Sequence, residues 1–106
     1  MITNELLGTI KKINRKLKSH SSENKNENIL ASCVKLQEET WELSWEILTF
    51  LKRARTKKIE NFKFEDLENE FADVIFSLLV LALDTWVDIN KAIKNKLEII
   101  EERGGV

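Results

Sequence analysis

An all-α fold is what this 106-residue sequence predicts, and three observations predict it. Proline is absent and glycine occurs only at Gly8, Gly104 and Gly105; a β-protein of this length would need many turns, and turns draw on those residues. Hydrophobic residues make up 42% of the chain, enough to fold one modest core rather than stay disordered. Their spacing follows the helical period in four successive stretches. A single domain over residues 1–106 follows, with no internal repeat.

"TNELLGTIKKINRKLK" sets Leu6, Leu7, Ile10, Ile13 and Leu17 at helical spacing, with Thr3 or Asn4 as cap and a basic end that suits the helix dipole. "SHSSENKNEN" (19–28) is a polar connector without periodicity, of the kind that sometimes closes over a site. A long second helix runs from about Asn28 to about Arg55 and ends in the basic stretch "KRARTKK" (52–58). "IENFKF" reads as extended. The third helix starts near Glu65 and continues to about Asp84. "DTWVD" is a short link in which Asp88 caps a fourth helix; this helix ends at Arg103, with Gly104 in the C′ position.

Charge and composition narrow the function. Charged residues make up 33%, but the formal net charge is −1, so nothing marks the whole protein for nucleic acid polymer or anionic membrane. The longest apolar run, Val74–Leu83, is interrupted by Ser77 and is about half of a membrane span. Lys11 and Lys12 fall where a signal peptide would be apolar, so a cytoplasmic protein is expected. The lone Cys33, in an apolar helical stretch, reads as a small core residue. The lone His20, in a polar segment, argues against a His-based triad.

What stands out is the placement of acids. At about 100° per residue, Asp66, Glu70, Asp73, Ser77 and Asp84 share one stripe of the third helix, roughly 60° wide. Between Lys63 and Lys91 there are seven acids and no lysine or arginine, so the stripe has no partner on its own helix. On the second helix, Lys35, Glu38, Glu39, Glu42 and Glu46 share a face flanked by apolar residues, Trp41 and Trp45 among them. Each strip could be the solvated side of a bundle helix. Alternatively, the strips face each other and hold a divalent cation, which would also relieve the like-charge repulsion. The connection permits this: an extended segment 57–63 reaches about 23 Å, enough to run back along the second helix.

These residues resemble a known family. "EETWE" (38–42) followed by "EFAD" (70–73) matches the EExxE…ExxD signature of the all-α NTP pyrophosphohydrolases. This group takes in MazG-like proteins, dimeric dUTPases, dCTP pyrophosphatases and phosphoribosyl-ATP pyrophosphatase. "DINKAIKNKLEIIEER" is similar to the family's last helix through Asp88, Ala92, Lys96 and Arg103, and the likeness is strongest over residues 28–103. One position departs: the asparagine often found four residues after the lysine is Ile100 here.

The resemblance implies a four-helix, NTP pyrophosphatase-like bundle completed by oligomerisation, as a homo-dimer or a dimer of dimers. The nearly all-round apolar surface of Val74–Leu83 asks for a second subunit in its own right. It implies Mg²⁺, or Mn²⁺ in its place, held by Glu39, Glu42, Glu70 and Asp73. The implied reaction splits a nucleoside triphosphate between the α- and β-phosphates into a monophosphate and pyrophosphate, a house-cleaning activity on non-canonical or surplus dNTPs. Glu38 would orient the attacking water or bind a second ion, and Glu39 would take part in catalysis as well as in metal binding. Lys96 and Arg103 would neutralise phosphate charge. Trp45, beside the acidic face, is placed to stack on a base, although packing is the commoner use of such a residue. Ser77 could hydrogen-bond a sugar or base. Two alternatives stand: a catalytically silent helical module that binds a nucleotide or a protein, and phosphoribosyl-ATP pyrophosphatase itself.

Overall fold

The computed structural model describes residues 1–18, 24–52 and 60–104. Among these residues the chain forms four α-helices and no strand: α1 (Asn4–Lys18), α2 (Lys25–Phe50), α3 (Phe64–Asp84) and α4 (Ile89–Glu102). None of the described helices is long and apolar enough to cross a membrane.

Capping sets the boundaries. Thr3 starts α1, its Oγ1 accepting from the Leu6 amide at 3.1 Å. Asn24 starts α2 by accepting from the Asn26 and Glu27 amides at 2.9 and 3.2 Å, one turn before the expected Asn28. At its other end α2 stops at Phe50, short of the expected Arg55, because Lys52 turns into the left-handed region with φ 58°. The basic stretch beyond Lys52, most of the connector with His20, and part of the segment expected to be extended lie outside the described residues; within that segment Glu60 is helical. Helix α3 ends at Asp84, as expected. The Val87 amide reaches back to Ala82 O at 2.9 Å and the Trp86 amide to Leu83 O at 3.3 Å, a Schellman closure. Trp86 holds the left-handed position, φ 57°, usually given to glycine. Asp88 caps α4 through the Lys91 amide at 3.2 Å, and Gly104, φ 90°, follows its end.

Helices α2 and α3 pack along each other as an antiparallel pair, and α1 lies against α3. Phe50 meets Phe62 and Phe64 with ring centroids 6.0 and 6.3 Å apart, which pins one end of the pair. The other end is held by Asp84, which accepts from Ser32 Oγ of α2 at 3.1 Å and Asn14 Nδ2 of α1 at 3.2 Å. An acid in the last turn of a helix opposes the dipole; these two donors from neighbouring helices offset that cost. Helix α4 is tied back by Asn90, whose side chain both donates to and accepts from the Ile2 backbone, at 2.7 and 3.1 Å.

The core is thin. Among the described residues the buried hydrophobic side chains are Ile10, Leu67, Leu79 and Ala82. The accessible surface is 8526 Å², whereas a folded monomer of 12.4 kDa exposes about 6,100 Å². The radius of gyration, 16.7 Å, likewise exceeds the roughly 13 Å of a compact chain of this length. Many of the exposed apolar side chains are ordered in stripes. Leu30, Val34, Trp41, Trp45 and Leu48 lie exposed along one side of α2, and Phe71, Ile75 and Leu78 along one side of α3.

Candidate functional site

The two ends of the α2–α3 pair fix what meets in the middle. Counting about 1.5 Å per residue from the Phe50–Phe64 contact, Glu39 lies about 16 Å along α2 and Asp73 about 14 Å along α3. They therefore come level. Carboxylate oxygens of Glu39, Glu70 and Asp73 converge, one from each residue, all within 4.8 Å of one another. Part of the polar stripe of α3 thus turns inward: Ser77 is buried and Glu70 half-buried, with Asp73 exposed at its edge, while Phe71 and Ile75 on the opposite side stay 49% and 53% exposed.

Glu39 is only 7% exposed. One of its oxygens, Oε1, accepts from Lys35 Nζ at 3.0 Å. The other, Oε2, is buried without a hydrogen-bond partner among the described residues, as is Oε2 of Glu70. An unsatisfied buried carboxylate oxygen is costly, and two of the three converging residues each carry one, an arrangement that a ligand accepting lone pairs would relieve. Burial pushes the Glu70 carboxyl above its usual range, and the charges of Glu42, Asp73, Glu39 and Glu46 push it the same way. Lys35 is held above its ordinary value by its hydrogen bond to Glu39 and by the charges of Glu39, Glu38 and Glu42.

The donor set fits a hard divalent cation. Three carboxylates from two rigid helices present oxygen ligands only, the preference of Mg²⁺ and Mn²⁺ over softer metals, and they leave room for water and phosphate oxygens. Beside them opens a cleft of about 400 Å³ between α1, α2 and α3. Lys35, Glu39, Asp73 and Ser77 line its near end, and Asn14, Asn28 and Ser32 add polar groups along an otherwise apolar wall that includes Leu17, Phe76 and Val80.

The expected site residues are not all brought together. Glu39, Glu70 and Asp73 converge, and Ser77 joins Glu39 and Asp73 at the cleft. Glu42 is exposed and lies outside the converging set, although its charge is felt at Glu70. Glu38 is exposed, with Oε2 3.6 Å from Lys35 Nζ. Trp45 packs edge-on against Trp41, centroids 6.0 Å apart, and is not among the residues of the cleft. Lys96 and Arg103 are exposed on α4, which packs little against the other helices, and neither lines the cleft. Cys33 is half-buried on α2, apart from the site. Sequence reasoning missed Lys35 as a partner of the cluster, although the Lys35/Glu39 spacing of four residues on a helix was a signal for it. It also missed the Asn14–Asp84–Ser32 junction.

Comparison of the chain with protein-family models, with curated proteins and with solved structures finds no match.

Proposed function

We propose that this protein is a Mg²⁺-dependent nucleoside triphosphate pyrophosphohydrolase of the MazG-like type, with Mn²⁺ able to replace Mg²⁺. The observation that carries the reading is the convergence of Glu39, Glu70 and Asp73, two of which each hold a buried oxygen without a hydrogen-bond partner among the described residues. Ordinary solvated acids on a bundle surface would keep their oxygens in water.

Glu39, Glu70 and Asp73 would hold the ion, with Glu42 one turn along α2 close enough to add charge or a water-mediated contact. The bound ion would supply charge neutralisation and polarisation of the phosphate. The rest falls to the chain's own side chains. Glu38, exposed beside the cluster, would orient and deprotonate the attacking water. Water oxygen bonds to phosphorus, the anhydride bond between the α- and β-phosphates breaks, and pyrophosphate leaves. The cleft would take the nucleoside, with Ser77 and Asn14 as hydrogen-bonding groups and Phe76 and Val80 as apolar wall. Lys96, Arg103 and Trp45 remain assigned through the resemblance alone.

The reading includes self-association. The apolar stripes on α2 and α3 would be the buried faces. Pyrophosphate release from a panel of NTPs and dNTPs, with and without Mg²⁺, tests the activity. Mg²⁺-dependent release supports it. No release on any nucleotide, with Mg²⁺ still raising the melting temperature, would leave the silent-binder alternative; release on phosphoribosyl-ATP alone would favour that enzyme.

A further inference from the structure

The acids of α3 have no base on their own helix, and among the described residues a cation that meets the cluster comes from α2. Lys35 Nζ is 3.0 Å from Glu39 Oε1 and 3.6 Å from Glu38 Oε2. It reaches the buried Glu39 from an exposed position, its own side chain 60% exposed, and it lines the cleft together with Asp73 and Ser77. The lysine stem is long and flexible, and its ammonium is a point charge with donors in all directions. The same side chain can therefore serve Glu39 in one rotamer and a ligand in the cleft in another.

We propose that Lys35 is an exchangeable counter-ion: it occupies Glu39 while the carboxylates hold no metal, and turns to the substrate's α-phosphate when they do. The proposal rests on the metal-dependent reading above. Its physical basis is competition for one carboxylate. A divalent ion and the ammonium both draw on Glu39, and a protein that must give up the Lys35 contact binds the ion less tightly than one without it. A triphosphate in the cleft would offer the displaced ammonium new oxygens, so metal and nucleotide should bind cooperatively through this side chain.

The test is Mn²⁺ titration calorimetry on the ion-free wild type, Lys35→Gln and Lys35→Arg, followed by steady-state kinetics. Removing a charge-assisted contact should tighten Mn²⁺ binding by Lys35→Gln about tenfold without nucleotide, and raise KM for the best substrate about tenfold. Lys35→Arg keeps the charge and should recover most of the KM. Because Lys35 is exposed, the glutamine variant should melt cooperatively, and the arginine variant gives a second reading. Looser Mn²⁺ binding in Lys35→Gln, or an unchanged KM, would overturn the exchange and leave Lys35 as a strut for Glu39. Wild type that binds no Mn²⁺ would sink the metal reading and this inference together, an outcome distinct from the other two.

Discussion

Glu70→Gln should make the ion-free protein more stable, an unusual result for a change in a helix-packed position. The carboxylate oxygens of Glu70, Glu39 and Asp73 lie within 4.8 Å of one another. Two unit charges at that distance repel by roughly 3.5 kcal/mol at an effective dielectric of about 20, and by under 1 kcal/mol in water. Lys35 cancels much of the Glu39 share, and solvent at the exposed Asp73 weakens the other. What remains, with the desolvation of the unpartnered Glu70 Oε2, is about 2 kcal/mol. Glutamine keeps the shape, removes the charge and adds an amide donor that either neighbouring carboxylate can accept. In a chain of this size about 2 kcal/mol moves the melting temperature by roughly 10 °C. The assay is circular dichroism melting in EDTA and then with excess Mg²⁺. Wild type should gain about 2.7 kcal/mol when Mg²⁺ is a hundredfold above its Kd, the variant much less, so that the order of stabilities narrows or inverts. A Glu70→Gln protein that melts lower than wild type in EDTA would refute the reasoning, since the carboxylate would then have partners that stabilise it.

The other expectations are more direct. Asp73→Ala should abolish turnover and the Mg²⁺-induced rise in melting temperature while leaving the helical spectrum intact; loss of the fold would make Asp73 structural. In EDTA, stability should fall as pH rises through the raised Glu70 pKa, because the native state then holds a proton that the unfolded state has already released; a melting temperature flat from pH 4.5 into the neutral range would contradict this. Over the same range the apparent Mg²⁺ affinity should weaken as pH is lowered, because Glu70 must lose its proton to bind. Ile75→Glu, on the exposed face of α3, should reduce the mass seen by light scattering to that of one chain; an assembly of unchanged size would place the interface elsewhere. Lys96→Ala should raise KM severalfold if the last helix contacts phosphate, and an unchanged KM removes it from the site.

How much of this was legible in the sequence depends on the residue. The end of α3 at Asp84, the Asp88 cap and Gly104 were readable because each is a local signal. The start of α2 was not, since Asn24, Asn26 and Asn28 are all eligible caps; Asn24 takes the place by accepting from the Asn26 and Glu27 amides. Its end was hidden because the left-handed residue that stops it is Lys52 rather than glycine. The stripe of Glu70, Asp73 and Ser77 was visible as a period, but a period does not say that Ser77 is buried and Glu70 half-buried while Asp73 stays exposed. The register that brings Glu39 level with Asp73 comes from Phe50 against Phe62 and Phe64 and from Asp84 against Ser32, long-range contacts with no sequence signature. Asp84 did carry a hint, since an acid at the C-terminal end of a helix needs a partner from elsewhere. The convergence left Glu42 out because it stays exposed on α2 while Glu39, one turn earlier, is buried between the helices.

On the proposed function, the three converging carboxylates serve a metal-dependent pyrophosphohydrolase. The most direct test measures pyrophosphate released from a dNTP and NTP panel by wild type and Asp73→Ala, each with and without Mg²⁺. Release is expected from wild type only, only with Mg²⁺, and strongest on a small subset of bases. Release that survives the Asp73→Ala change or the removal of Mg²⁺, or no release by wild type on any nucleotide, would contradict it.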